Sequence, residues 1–202
     1  MEQSIINSDK FWETIEKANK LSQGNLDMFT KLIEKELSSW SYSELYHFQI
    51  IYEEYELATV KYANNLIWSA LILINKGYCT NTYGFAGWLI SQGKNTYLET
   101  LKNPDYLAKT DASKDKCNYE GIRFVAINLA KEKMKGKIKQ KTEEMKPLWE
   151  SDIFKSDQIK INSEIEYGNL NRNRDWKLKE MEPLLPDLYN KHVAKKRFWG
   201  LF

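Results

Sequence analysis

Apolar residues recur at helical spacing along most of this chain. Phe11, Trp12, Ile15 and Ala18 fall three or four residues apart and draw one stripe along a first helix. Ser8 stands where an N-cap is expected, and Gly24 closes the segment. Asn25 then caps a second helix that turns Leu26, Phe29, Leu32, Ile33 and Leu37 inward. Ser41, Tyr42, Ser43 and Glu44 form a capping box, because the Ser41 hydroxyl and the Glu44 carboxylate can each accept from the other's backbone. Behind the box, Leu45, Phe48, Tyr52, Tyr55 and Tyr62 run along one face. Glu53, Glu54 and Glu56 fall mostly on the other.

Residues 66–74 are apolar all round, which predicts a central helix with neighbours on every side. Gly77 suits the position just past its end. A loop over 78–83 leads to a fifth helix holding Phe85, Trp88, Leu89 and Ile90, and Gly93 divides that helix from a continuation ending near Leu101. Pro104 to Leu107 predicts one further short turn. Asn118 is expected to cap a sixth helix with Ile122, Val125, Leu129 and Met134 in register. This helix runs into a lysine-rich tract (Lys131, Lys133, Lys135, Lys137, Lys139 and Lys141) that Pro147 ends. Over 150–180, Ile159, Ile161, Ile165 and Tyr167 partly alternate, which predicts a small hairpin or an irregular excursion. Asn169 to Arg174 is polar loop. A last helix is expected from Pro183 through Leu184, Leu185, Leu188 and Tyr189. The tail 193–202 is basic and then apolar. The pattern predicts an all-α, single-domain bundle of six or seven helices over 1–202, with no internal repeat.

Composition agrees. Nine glycines and four prolines among 202 residues leave few breakers, and seven Trp, twelve Tyr and eight Phe supply a large core. The first hundred residues carry a net charge of −4 and the remainder +6, a mild asymmetry. Two cysteines, Cys79 and Cys117, make neither a Cys-x-x-Cys zinc pair nor a secreted disulfide scaffold, so both are read as reduced thiols. The first residues lack a basic region followed by an apolar run. No apolar stretch approaches the ~20 residues of a membrane span. A cytoplasmic location, without membrane contact, is therefore expected.

The stretch Leu66-Ile67-Trp68-Ser69-Ala70 is followed by Gly77-Tyr78-Cys79, Phe85, Trp88-Leu89-Ile90-Ser91-Gln92-Gly93 and Asn103-Pro104-Asp105-Tyr106-Leu107. This order resembles an uncharacterised bacterial domain family, number 4240 among the domains of unknown function. Phe11-Trp12 and Leu185-Pro186-Asp187-Leu188-Tyr189 resemble its ends. The family-like region is strongest over about 11–107 and extends to 192. The resemblance implies a helical domain and no established activity. Its members tend to follow the cysteine with Ser and two Asp residues, and to place Arg two residues before the tryptophan. Here Thr80, Asn81 and Thr82 follow the cysteine, and Ala86 takes the arginine's place. The resemblance therefore implies a loop that has lost charge, which favours binding over catalysis.

Each candidate site has an ordinary reading beside its functional one. Cys79 lies past a helix C-terminus, far in sequence from His47 and His192, whereas a reactive thiolate wants a helix N-terminus or a cation. Three glutamates in one turn are ordinarily a solvated face; functionally, Glu53, Glu54 and Glu56 would be an acidic patch for a basic partner. His47, between Tyr46 and Phe48, reads as a hydrogen-bonded core or boundary residue. Trp12, Trp68 and Trp88 sit on apolar stripes and read as core. Phe198, Trp199 and Phe202 form an apolar cluster at the end of the chain and read as a docking segment or as a tail folded onto its own domain. The lysine tract lacks the interleaved aromatics of a nucleic-acid binder.

No phosphate loop or His-Glu-x-x-His motif occurs, so no cofactor or metal is expected. The expected function is a non-enzymatic binding protein that recognises another protein, in its narrower form an immunity or accessory protein of a bacterial toxin or stress locus. Its partner-binding residues would be Glu53, Glu54, Glu56, Phe198, Trp199 and Phe202. The alternative is a small-molecule-binding protein or hydrolase. Its pocket would lie near the 78–83 loop, among Tyr52, Tyr55, Cys79, Asn81 and Trp88. Nucleic-acid binding ranks last.

Overall fold

Short polar side chains start the first three helices. The computed structural model describes residues 6–62, 65–76, 81–134, 152–167 and 178–194. Helix α1 (Ser8–Ser22) begins at Asn7, whose side chain accepts from the Lys10 amide. The cap thus falls one residue before the Ser8 expected from the sequence: Ser8 is already helical and fully buried. Helix α2 (Leu26–Leu37) starts at the expected Asn25. Helix α3 (Tyr42–Leu57) starts on the expected capping box, with the Ser41 amide donating to Glu44 Oε2 at 2.8 Å and the Glu44 amide to Ser41 Oγ at 3.3 Å.

The π-helical turn Ala58–Tyr62 prolongs α3. Helix α4 (Asn65–Asn75) ends on Lys76, which takes the left-handed φ of 57° expected of Gly77, a residue outside those described. Helices α5 (Thr82–Ser91) and α6 (Lys94–Lys102) meet at Gly93, whose φ of 90° few side chains tolerate. A 3₁₀ segment, Pro104–Lys109, gives the expected short turn. A second, Gly121–Phe124, leads into α7 (Val125–Lys133), which shortens the helix expected from Asn118. Beyond it lie α8 (Asp152–Glu164), α9 (Leu178–Met181), α10 (Pro186–Tyr189) and a closing π-helical turn, Asn190–Ala194. The described residues contain no strand, so the fold is all-α. None of their helices is long and apolar enough to cross a membrane.

One core gathers side chains from Ile6 to Tyr189. At its heart Phe11 stacks on Tyr55 at 5.6 Å and meets Phe48 at 4.8 Å, while Trp12 meets Tyr55 at 4.8 Å and Tyr97 at 5.5 Å. Tyr97 also donates its hydroxyl to the Tyr55 carbonyl at 2.7 Å. Rings at these separations add directional attraction to the area they bury, and they bind α1, α3 and α6 into one block.

The central rod is α3, not α4. Helix α3 packs against α1, α5, α7 and α8, and it buries ten residues on all its faces. On α4, Trp68 and Ile72 are only half-buried. The sequence obscured this order because α3 buries His47, Gln49 and Glu56 among its apolar residues, while α4 carries an apolar face without complete cover.

The expected hairpin over 150–180 is helical through α8. Phe154, Ile161 and Ile165 are buried at seven- and four-residue steps, whereas Ile159, which suggested alternation, is 70% exposed. Phe154 packs with Tyr46 and Ile50 on α3. Under this helix, His47 has neither ring nitrogen in a hydrogen bond, contrary to expectation. Burial lowers its pKa, and the Asp157 carboxylate opposes the shift. The polar loop expected over 169–174 and Pro147 lie outside the described residues.

The last helix begins at Pro186 rather than Pro183, since Leu184 and Leu185 turn back onto the Met181 carbonyl. It is seated by Asp105, a buried carboxylate on the 3₁₀ segment that accepts from the Asp187 amide at 3.1 Å and the Leu188 amide at 2.8 Å. Lys191 adds a hydrogen bond to the Ala108 carbonyl at 2.9 Å. Asp105→Ala should lower stability by about 2 kcal/mol, the cost of leaving buried amide donors without an acceptor. By hydrogen exchange, the Leu188 and Tyr189 amides should lose protection while those of α3 keep theirs. Unchanged exchange at Leu188 would remove Asp105 from this role.

Candidate functional site

The most elaborate polar assembly among the described residues lies where α5 begins. Asn81 caps that helix: its Oδ1 accepts from the Gly84 amide at 2.9 Å, and its Nδ2 donates to Asn118 Oδ1 at 2.7 Å and Glu120 Oε1 at 2.6 Å. The Tyr119 amide donates to the Gly84 carbonyl at 3.0 Å. One turn on, a Cβ at Gly87 would stand 2.3 Å from the Tyr119 carbonyl oxygen. Only a bare backbone lets the two segments touch there. The stretch 118–121 is thus laid flat against α5, which delivers Arg123 to the outer end of α3.

Arg123 meets Glu56 there. Glu56 is 5% exposed. It accepts from the Tyr52 hydroxyl at 3.0 Å, and its Oε1 lies 3.4 Å from Arg123 Nε. A second carboxylate, Glu120, stands 3.6 Å from Arg123 Nη1. The guanidinium carbon lies 4.2 Å from the Tyr83 ring centre and 5.5 Å from that of Phe124. Both rings are open to solvent, Tyr83 at 42% and Phe124 at 51%. A guanidinium on an aromatic face gains cation–π attraction, so this arginine is fixed from below by charge and from the sides by rings.

Burial raises the Glu56 pKa, the Tyr52 hydrogen bond and the Arg123 charge pull it back, and Glu53 and Glu120 push it up. Burial and the same carboxylate raise the Tyr52 hydroxyl. Tyr119, whose hydroxyl lies 2.7 Å from Thr30 Oγ1, is pushed up to about 12, chiefly by burial. Among the described residues no three of His, Cys, Asp and Glu converge to hold a metal ion.

The three glutamates expected to form one acidic patch diverge. Glu53 is exposed and accepts from Gln49 at 2.9 Å, Glu54 is half-buried and accepts from Gln158 on α8 at 3.1 Å, and Glu56 points inward. Glu56 follows Tyr52 by four residues and shares its buried stripe; its charge concealed that placement.

The expected ligand-pocket walls are also packed: Tyr52 and Trp88 are 1% exposed and Tyr55 is fully buried. Asn81 is a structural cap. Cys79, Phe198, Trp199 and Phe202 lie outside the described residues, as do Lys135, Lys137, Lys139 and Lys141. Of the remaining lysine tract, Lys133 donates to the Ser38 carbonyl at 3.0 Å. Cys117 is buried. Sequence reasoning missed Tyr83, Glu120, Arg123 and Phe124. Asn81 three residues before Gly84, with Gly87 three further on, was a readable signal for a capped helix with a close neighbour.

An all-α domain with one long buried core and a clamped surface arginine is the class these features define. Residues 6–133 match the model of a family described as a protein of unknown function, DUF4240, and the chain belongs to that family. No curated protein and no solved structure matches it. The match ends with α7, so α8, α9 and α10 lie beyond it.

A carboxyl group that holds its proton more tightly folded than unfolded makes stability fall as pH rises from its ordinary value, near 4.5, and stay reduced above the raised one. Glu56→Gln keeps an acceptor for Tyr52 and cannot ionise. Its stability relative to wild type should therefore improve as pH rises through that window. Urea denaturation of both proteins between pH 4 and pH 7 tests this; a difference independent of pH would rule it out.

Proposed function

We propose that this protein recognises another protein, through the surface made by Tyr83, Arg123 and Phe124. The observation that carries the reading is the half-buried guanidinium of Arg123 set against two exposed aromatic rings. Tyrosine and arginine are enriched among the few residues that dominate interface energies. A side chain already fixed by Glu56 and its flanking rings loses little freedom when a partner covers it. The burial of Tyr52, Tyr55 and Trp88 removes support from a small-molecule pocket among them. The narrower form of the reading, an immunity or accessory protein, expects the partner to be encoded beside this gene.

Affinity capture from the native host should recover one stoichiometric partner on the wild-type chain. Tyr83→Ala/Phe124→Ala should weaken that recovery by about tenfold or more, the effect of losing ~1.4 kcal/mol or more of interface energy, with its helical circular dichroism unchanged. Equal recovery by the double variant would overturn the proposal. So would loss of the partner on truncation before Phe198 alone, which would move the interface to the tail.

A further inference from the structure

We propose, resting on the reading just given, that the partner presents a short basic amphipathic segment and that the groove between α2 and α7 receives it. The groove adjoins the clamp, because Phe124 belongs to both. Thr30 and Glu34 form one bank and Phe124, Val125, Leu129 and Glu132 most of the other, around a volume of about 230 Å³. The two helices run in the same sense along it. The Thr30 hydroxyl meets Tyr119 at one end, and Lys133 reaches the Ser38 carbonyl at the other. At 1.5 Å per residue, the eight steps from Thr30 to Ser38 span about 12 Å, or two turns of a helical ligand.

The chemistry of the banks selects the occupant. Val125 and the half-buried Leu129 give an apolar floor, and Phe124 gives an exposed wall. The charged residues lining the groove, Glu34 and Glu132, are both carboxylates, exposed and without an ion-pair partner among the described residues. At the C-terminal end of the groove the Lys133 ammonium already meets the Ser38 carbonyl, so the carboxylates of the banks are what select a cation. A segment with leucine-like residues on one face and lysine or arginine beside them fits both the floor and the banks.

A second groove, of about 270 Å³ between α1 and α2, lacks this polarity: Lys17, Lys35 and Glu36 all line it, and Lys17 is paired with Glu36 at 2.7 Å.

The test is an NMR titration of the full ¹⁵N-labelled chain with a twelve-residue amphipathic Lys/Leu peptide, and with its Glu/Leu counterpart. The Lys/Leu peptide should shift the amides of α2 and α7 that face the groove. Its binding should weaken about tenfold in Glu34→Lys/Glu132→Lys, and also with added salt. The Glu/Leu peptide should not bind. Equal binding by the charge-reversed variant, binding of the Glu/Leu peptide at the groove, or shifts confined to other surfaces would each overturn the proposal. If Glu34→Lys/Glu132→Lys captures the native partner at the wild-type level while Tyr83→Ala/Phe124→Ala loses it, the groove is excluded and protein recognition stands.

Discussion

A carboxylate placed inside a helical bundle has to be met by donors or it destabilises the fold. Glu56 sets that constraint here. It lies on the helix that packs against α1, α5, α7 and α8, and within that helix only the Tyr52 hydroxyl reaches it. Its counter-charge comes from another element, Arg123. That requirement fixes the course of the chain between α6 and α7. The segment carrying Arg123 must cross α5 closely enough to reach the end of α3, and the Asn81 cap and the bare backbone at Gly87 let it do so. Cap, close approach and ion pair thus form one structural unit, and the exposed clamp is its outer end.

The second organising contact is carboxylate-based as well. Asp105 takes two backbone amides of the closing helix, and so ties a segment beyond the family match to a turn within it. Helix α8 is joined to the same body by apolar cover as well as hydrogen bonds: Phe154 seals against Tyr46 and Ile50, His47 is buried beneath without a hydrogen bond, and Gln158 donates to Glu54. An unpartnered imidazole disfavours its own protonation, which matches the lowered pKa. Both C-terminal attachments combine packing with polar contacts: α8 adds the Gln158–Glu54 hydrogen bond and the Lys160–Asp9 and Lys94–Glu164 ion pairs to its apolar cover.

Much of the fold was legible because its signals are local. Asn25, the Ser41–Glu44 box, Gly93 and the 3₁₀ turn at Pro104 act within a few residues of themselves, and each stands where spacing placed it. The failures came where distant neighbours decide. Helix α4 is more apolar than α3, yet Trp68 stays half-exposed while α3 buries a histidine and a glutamate. Apolarity reports what a helix tolerates, not how many neighbours it has. Ile159 mimicked strand alternation because an exposed isoleucine fell between buried helical positions. The candidate site was less legible still. Tyr52, Glu56 and Asn81 drew notice for other roles, while Arg123 and Phe124 lie in a stretch whose helix was expected to start earlier. Their convergence depends on a chain crossing that no periodicity records.

The perturbed groups bear on function in a consistent way. Glu56, Tyr52 and His47 have shifted pKa values, and strong shifts often mark catalytic groups. A catalytic acid or base must also come within hydrogen-bond reach of a substrate. Glu56 is 5% exposed with Tyr52 and Arg123 both at its Oε1, Tyr52 is 1% exposed, and His47 is 3% exposed beneath α8. Burial is the leading cause of all three shifts, and burial of this kind is what a rigid frame needs. The frame leaves Tyr83 and Phe124 exposed, with the half-buried Arg123 beside them. The chemistry held inside the fold fixes geometry; in the function proposed here, the clamp is the contact left for a partner.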